Sequence, residues 1–215
     1  MRTGTLVLML SLTACGGGSD PPSVPSTSKV TLVPPTPVVF IGDSITQMWS
    51  STLPAEDVDA GVSGNTSAMM LARFQTDVMA RHPEVVEILA GTNDIRTLAA
   101  PNTDDIATMA HIAATAGACV IIGTLPPISD TSWTSTTSIT PQDGDTMLAS
   151  FNVELHALAS AYGYYLADYH TALTLSDGVT QDSSLFGDGL HPNDAGHAAM
   201  WAVVDPLIKD CGVTQ

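Results

Sequence analysis

From residue 38 onward, short apolar runs alternate with segments whose apolar residues recur at helical spacing. β-Branched and other apolar residues dominate the runs, and Gly, Asp or Pro often follows them, as expected for strands buried on both faces. The predicted strands span residues 38–41, 58–62, 84–91, 119–125 and 164–169. Between them, Met69, Met70, Phe74 and Val78 are typical of one face of a helix.

Repeated strand–helix units favour parallel strands joined by right-handed crossover helices. We therefore predict an α/β fold, a three-layer α/β/α sandwich around a five-stranded parallel sheet in flavodoxin-like order. Polar residues predict several helix ends: Thr103 as an N-cap, Gly163 as a C-terminal stop, and Asn193 at the start of a last helix that extends to about Lys209. Ligands bind such sheets beyond the carboxyl ends of the strands, so the loops at that edge are the candidates for function.

The first residues have the pattern of an export signal. Arg2 precedes an apolar stretch from Leu6 to Leu12 that is too short to span a bilayer, and small residues follow. The tetrapeptide at residues 12–15 resembles the lipobox of bacterial lipoproteins, which implies a signal peptide at 1–14 and a lipid on Cys15. An ordinary signal peptide that happens to contain cysteine is the alternative. The lipoprotein interpretation places the protein in the cell envelope, attached to a membrane through its lipid anchor.

Residues 15–37 would then be the lipidated Cys15 and a disordered linker, because Gly, Ser, Thr and Pro dominate this stretch and cannot bury apolar surface. The remaining segment, 38–215, is long enough for one domain with its own core. The formal net charge of -16 argues against nucleic acid as a partner and disfavours anionic substrates. The two other cysteines, Cys119 and Cys211, either pair as a disulfide at the amino edge of the sheet or remain as buried thiols.

Four polar blocks fall where predicted strands end or near the last helix. They are Gly42-Asp43-Ser44, Gly61-Val62-Ser63-Gly64-Asn65, Gly91-Thr92-Asn93-Asp94 and Asp188-Gly189-Leu190-His191-Pro192-Asn193. Each block alone has the composition of an ordinary turn. Together, in this order and on one edge of a sheet, they resemble the SGNH hydrolases, also called the GDSL esterase and lipase family. The chain has no Gly-x-Ser-x-Gly motif, which argues against an α/β-hydrolase.

The chemistry of these side chains agrees with the roles that the resemblance implies. A serine hydroxyl needs a base to take its proton, and the base needs a group that fixes its tautomer. Ser44 is therefore the predicted nucleophile, His191 the general base and then acid, and Asp188, three residues earlier, the orienting carboxylate. The resemblance assigns the oxyanion hole to the backbone N–H groups of Ser44 and Gly64 and to the side-chain amide of Asn93. Each such donor is worth on the order of 3 kcal/mol.

Other polar residues in these blocks have a structural interpretation. We expect Asp43, Asn65 and Asp94 to shape their loops. The remaining histidines lack the spacing of metal ligands, and the sequence has no phosphate loop, so no metal and no cofactor are predicted. Trp133 lies in a Ser/Thr-rich loop predicted at residues 131–140, where it either forms a wall of the substrate site or packs locally.

These features predict a serine esterase that forms an acyl-enzyme intermediate on small-molecule or carbohydrate esters. Short predicted loops favour small acyl groups such as acetyl. A carbohydrate O-deacetylase, a lysophospholipase and a thioesterase are alternatives within the same chemistry, although an exported protein would not meet cytosolic coenzyme A thioesters. The alternative outside catalysis is a carbohydrate-binding surface lipoprotein, which the complete set of catalytic residue types disfavours.

Overall fold

The computed structural model describes residues 36–49, 52–97, 103–136 and 138–213, so the predicted signal peptide, Cys15 and nearly all of the predicted linker lie outside the described residues. Five strands form a single sheet in the described part of the chain. They are β1 (Thr36–Gly42), β2 (Val58–Gly61), β3 (Pro83–Leu89), β4 (Cys119–Gly123) and β5 (Tyr165–Ala167). All five lie at predicted positions, with ends that differ by up to two residues.

The sheet has the order β2-β1-β3-β4-β5, and every neighbouring pair is parallel. In its centre, Ile41 of β1 pairs with Ala60 of β2 on one side and Ile88 of β3 on the other. This arrangement confirms the flavodoxin-like order. After β2, the chain crosses back over β1 and places β3 on its other side, so the order in which strands are added reverses at β1. The loops after β1, β2 and β3 therefore lie together at the carboxyl edge.

Eight α-helices lie in the described ranges. They are α1 (Ser44–Trp49), α2 (Ser67–Asp77), α3 (Thr92–Arg96), α4 (Asp104–Thr115), α5 (Asp130–Thr136), α6 (Pro141–Tyr162), α7 (Tyr169–Ala172) and α8 (Asp194–Asp210). Single 3-10 turns occur at Met79–Arg81 and Ser183–Leu185. None of the helices in the described part of the chain has both the length and the apolar character needed to cross a membrane.

The helix ends follow the polar signals in the sequence. Asn193 caps α8, since its side-chain oxygen accepts hydrogen bonds from the N–H groups of Ala195 and Gly196. Gly163 ends α6 in the left-handed conformation, with φ 70°. Thr103 occupies the N-cap position of α4 but makes no capping hydrogen bond through its side chain.

Helices cover the sheet on both faces. Phe40 and Ile41 are consecutive residues of β1, so their side chains point to opposite faces, and both are fully buried. On the Phe40 face, the Phe40 ring contacts Trp49 of α1 at 5.4 Å and Trp201 of α8 at 6.4 Å between centroids. These aromatic rings pack against one face of β1, the strand that ends two residues before Ser44.

A disulfide links Cys119, at the start of β4, to Cys211, which follows α8, with a Cα–Cα distance of 5.9 Å. Helix α8 begins near the carboxyl edge and returns the chain to the amino edge, where β4 starts. The pairing that the sequence left open therefore forms, and it closes a loop with a sequence separation of 92 residues.

We expect the double substitution Cys119→Ser with Cys211→Ser to lower the free energy of unfolding by about 2–5 kcal/mol, because the cross-link restricts the unfolded chain. Urea unfolding of the oxidised wild type and of the double variant measures this difference. Treatment with a reductant should destabilise the wild type and leave the double variant unchanged. Equal unfolding midpoints for the two proteins without reductant would contradict the prediction.

Candidate active site

Ser44 lies where β1 ends and α1 begins. The buried carboxylate of Asp43 shapes this turn: its Oδ1 accepts a hydrogen bond from the N–H of Ile45 at 2.8 Å, and its backbone oxygen accepts one from Gln47 at 3.0 Å. Ser44 retains 8% exposure. The turn thus presents the hydroxyl at the carboxyl edge of the sheet.

The last polar block brings a histidine and a carboxylate to this serine. The Nε2 atom of His191 is 2.9 Å from the Oγ of Ser44, and its Nδ1 atom is 2.7 Å from the Oδ2 of Asp188. The other oxygen of Asp188, Oδ1, accepts hydrogen bonds from the backbone N–H groups of Leu190 at 3.0 Å and His191 at 2.8 Å. The structure therefore joins the three predicted residues in one hydrogen-bonded chain.

The same hydrogen bonds determine the charge of Asp188. Partial burial raises the pKa of this carboxyl group, but hydrogen bonds from the backbone and imidazole of His191 and from Leu190 outweigh burial and lower the pKa to about 2. Asp188 is consequently ionised at neutral pH. A carboxylate at this position favours the proton on Nδ1 of His191 and leaves Nε2 free to accept the serine proton.

Gly64 lies in an exposed turn after β2. Its φ of 79° belongs to the left-handed region that favours glycine, and a Cβ atom there would meet nothing within 4 Å. The turn is held by a hydrogen bond from Asn65 N to Val62 O at 3.1 Å and by one from Ser63 N to Gln47 Oε1 at 2.9 Å. The backbone conformation, and not a lack of space for a side chain, is therefore the reason for glycine at this position.

Asn93 follows β3 in the first turn of α3. Its Nδ2 donates to Asp43 Oδ2 and to the backbone oxygen of Asn65, both at 3.1 Å. The amide thereby connects the loops after β1, β2 and β3. Because both of its N–H groups already have acceptors, it must share or exchange one of these bonds in order to donate to an oxyanion.

Asp43 and Asp94 have the structural environments expected of loop-shaping residues. Burial raises the pKa of Asp43 to about 6, although the Ile45 N–H and nearby His191 act in the opposite direction. Asp94 accepts hydrogen bonds from the backbone and the hydroxyl of Ser67, at 2.9 Å and 2.6 Å, and so holds the start of α2.

Two sets of supporting residues were not predicted. Arg73 of α2 donates to Gly42 O at 3.1 Å and to Asn65 Oδ1 at 2.8 Å, which ties the first two loops together. Its position on a helical face gave no signal of this role, although the chain has only 6 Lys and Arg residues.

The second set holds the loop that carries Asp188 and His191. Ser132 Oγ donates to Asp188 O at 3.0 Å, while Ser129 N and Gln181 Nε2 donate to Gly189 O, each at 2.9 Å. Serine and glutamine are too common on surfaces for the sequence alone to identify these contacts.

The prediction that Trp133 forms a substrate wall is wrong. Residues 130–136 form helix α5, and the Trp133 side chain is fully buried against Gly144 of α6, with its Nε1 donating to Asp145 Oδ1 at 2.9 Å. The large apolar ring gains more from burial between two helices than from exposure at the site.

Within the ranges that the structure describes, no group of three or more His, Cys, Asp or Glu side chains is arranged to hold a metal ion. His170 illustrates a structural role, with its Nδ1 3.1 Å from Leu125 O. His197 is buried and stacks on Trp49, at 5.8 Å between ring centroids.

The model of the GDSL-like Lipase/Acylhydrolase family matches residues 40–199 of the chain. This match includes Ser44, Gly64, Asn93, Asp188 and His191. The protein belongs to this family of hydrolases. Comparison with curated proteins finds no match.

Solved structures with the same fold include other family members. A GDSL-like lipase from Bacteroides thetaiotaomicron is 30% identical with a TM-score of 0.73, over 81% of this chain and 88% of that one. A Bacteroides fragilis protein assigned as an acylhydrolase is 29% identical with a TM-score of 0.71, over 83% of this chain and 91% of that one. A catalytic mutant of an acetylxylan esterase from Geobacillus stearothermophilus shares the fold at 18% identity and a TM-score of 0.59, over 85% and 98% of the two chains.

Proposed function

We propose that this protein is a serine esterase that hydrolyses short-chain, acetyl-type esters through an acyl-enzyme intermediate. The observation that carries the proposal is the hydrogen-bonded chain from Ser44 Oγ to His191 Nε2, at 2.9 Å, and from His191 Nδ1 to Asp188, at 2.7 Å. This is the arrangement that a nucleophile, its base and an orienting carboxylate need.

In the proposed reaction, His191 Nε2 takes the hydroxyl proton of Ser44 as Oγ attacks the carbonyl carbon of the ester. The resulting oxyanion is stabilised by the N–H groups of Ser44 and Gly64 and by the amide of Asn93. His191 then gives its proton to the departing alcohol, leaving an ester on Ser44. A water molecule, deprotonated by His191, attacks that ester; His191 returns the proton to Ser44, and the carboxylic acid leaves.

The exposure of the site supports a preference for small acyl groups. The side chain of Asp188 is 58% exposed, and Gly64 lies in an open turn. A site that is open at these two residues gives a long acyl chain less apolar surface to bury against than an enclosed pocket would.

We expect kcat/KM on p-nitrophenyl esters to fall steadily from acetate to laurate, and a preference for laurate would overturn the proposed acyl specificity. The panel also includes acetylated sugars and lysophospholipids, and each substrate is run with the Ser44→Ala variant. Hydrolysis of a substrate that persists in Ser44→Ala would show that a group other than Ser44 attacks that substrate.

A cavity favours a carbohydrate O-deacetylase as a second candidate. It has a volume of about 490 Å³, and its lining includes Pro127, Ile128, Ser129, His170, Thr180 and Gln181 but neither Ser44 nor His191. Ser129 and Gln181 of this lining donate to Gly189 O, which places the cavity beside the loop that carries Asp188 and His191. Apolar surface combined with hydroxyl and amide groups suits a sugar, which has apolar ring faces and many hydroxyls. Higher kcat/KM for an acetylated oligosaccharide than for p-nitrophenyl acetate would favour this candidate.

The cellular location is also part of the proposal. The sequence at residues 1–15 supports export followed by lipid attachment at Cys15. The enzyme would then act on neutral esters in the cell envelope or outside the cell, from a membrane anchor. Cys15→Ser should abolish labelling of the protein with radioactive palmitate, and labelling that persists would overturn this part of the proposal.

A further inference from the structure

Glu87 is a glutamate in the middle of the sheet. It lies on β3, beside Phe40 of β1 and Ile121 of β4 in the strand register, and has no exposed surface. Glutamate is almost never fully buried unless a partner compensates for the lost hydration. One oxygen of Glu87, Oε1, accepts a hydrogen bond from the hydroxyl of Tyr169 at 3.2 Å.

The sheet makes room for this pair at Gly123. A Cβ atom on that residue of β4 would lie 2.9 Å from Glu87 Oε1 and 2.6 Å from the Tyr169 ring. Any side chain at position 123 would therefore displace the carboxyl group or the ring. The absence of a side chain at Gly123 thus leaves the space that the Glu87 carboxyl group and the Tyr169 ring occupy.

The second oxygen of Glu87, Oε2, has no hydrogen-bond partner among the described residues, and the same holds for three side-chain atoms of α1 and α8. Thr46 Oγ1, Trp49 Nε1, Glu87 Oε2 and His197 Nε2 are all buried without a hydrogen-bond partner among the described residues. Thr46 and Trp49 are one turn apart on α1, the helix that begins with Ser44. The Trp49 ring contacts Tyr169 edge-on at 5.8 Å and stacks on His197 at 5.8 Å between centroids, so it bridges the Glu87–Tyr169 pair and α8.

A protonated carboxyl group tolerates this environment because it carries no charge, whereas a carboxylate needs hydrogen-bond donors. The Trp49 N–H and the Thr46 hydroxyl are unpaired donors on the helix that packs over this face. A charged Glu87 would pull on its one donor, the Tyr169 hydroxyl, and the edge-on contact between the Tyr169 and Trp49 rings would pass this movement to α1 and, with it, to the hydroxyl of Ser44. A displacement of about 1 Å in a reacting group costs on the order of 10²-fold in rate.

We propose that Glu87 is a positioning residue that must be protonated for α1 to hold Ser44 against His191, so that ionisation of Glu87 switches the enzyme off. This inference rests on the proposed esterase function. Burial raises the pKa of Glu87 to about 8, although the Tyr169 hydrogen bond acts in the opposite direction. The switch therefore operates on the alkaline side of neutral pH.

The neighbouring groups do not titrate in this range. From α7, Tyr169 faces Glu87, and burial and the adjacent carboxyl raise the pKa of Tyr169 well above its ordinary value. From α8, burial lowers the pKa of His197. The facing residues of β1, β4 and α1, namely Phe40, Ile121, Gly123, Thr46 and Trp49, have no titratable groups.

The first test is the pH dependence of kcat on p-nitrophenyl acetate, corrected for spontaneous hydrolysis. Wild-type kcat should fall about tenfold between pH 7 and one pH unit above the pKa of Glu87. Glu87→Gln has the same shape without a titrating group, and its ratio of kcat at pH 9 to kcat at pH 7 should be close to one. Glu84→Gln, an exposed glutamate on the same strand, is the matched control and should retain the wild-type fall.

Should Glu87→Gln not fold, Glu87→Leu replaces the carboxyl group by an apolar side chain and should abolish the alkaline fall in the same way. An alkaline fall that persists in the folded Glu87 variant would overturn the proposal. So would a wild-type kcat that stays level to pH 9.

The second test does not depend on catalysis. In a Ser44→Ala background, tryptophan emission should change in a step centred near pH 8, because Trp49 lies against Tyr169, the partner of Glu87. The step should vanish in Ser44→Ala with Glu87→Gln. Its persistence, or its absence from Ser44→Ala alone, would overturn the proposal even if the protein hydrolysed no ester.

Discussion

Replacing Ser44 by alanine is expected to lower kcat on p-nitrophenyl acetate by about 10⁴- to 10⁶-fold, the largest effect predicted for a single substitution in this chain. The variant loses the atom that attacks the ester, so no acyl-enzyme can form. The remaining rate comes from water attacking an ester bound at the oxyanion donors. Steady-state kinetics on purified protein measure the loss, and mass spectrometry after exposure to a fluorophosphonate should show an adduct on the wild type and none on Ser44→Ala.

Ser160→Ala is the matched control, since Ser160 is an exposed serine near the end of α6. It should retain wild-type kcat and still form the adduct. Both variants should unfold within about 1 kcal/mol of the wild type, because neither removes large apolar surface. A loss smaller than tenfold in Ser44→Ala would show that another group performs the attack.

Substitution of Asp188 by asparagine is expected to lower kcat by about 10³- to 10⁴-fold while leaving KM nearly unchanged. The amide oxygen of asparagine can still accept the hydrogen bonds from the N–H groups of Leu190 and His191. Its NH₂ group cannot accept a hydrogen bond from the Nδ1–H of His191, and as a donor it favours the tautomer with the proton on Nε2. His191 then has no lone pair to offer to Ser44.

Asp177 provides a matched control for this substitution. Its Oδ1 accepts hydrogen bonds from the backbone N–H groups of Val179 and Thr180 at 2.9 Å and 2.8 Å, which resembles the turn at Asp188 without a histidine partner. Asp177→Asn should therefore keep wild-type kcat on p-nitrophenyl acetate. Comparable losses in the two variants would mean that loop structure, and not the tautomer of His191, explains the effect at Asp188.

Asp43 and Glu87 are both buried carboxyl groups, but the sequence reveals them to different extents. Asp43 stands next to the candidate nucleophile, and its role in the turn was predicted from residue type. Glu87 lies in a strand that otherwise reads as apolar, and nothing in the local pattern distinguishes a buried carboxyl from an exposed one. Its environment depends on Gly123, Tyr169 and Trp49, which come from three other elements.

The sequence by itself determined the strand and helix alternation, the parallel sheet and the edge at which Ser44, Asn93 and His191 meet. The strands and helices follow from local patterns, because apolar periodicity and turn residues depend only on residues close together in sequence. The parallel sheet and its functional edge then follow from the right-handed crossovers that join successive strands. The tertiary structure alone decided the Cys119–Cys211 bond, the burial of Trp133 and the surroundings of Glu87. Each of these depends on packing between residues distant in sequence, which no local pattern encodes.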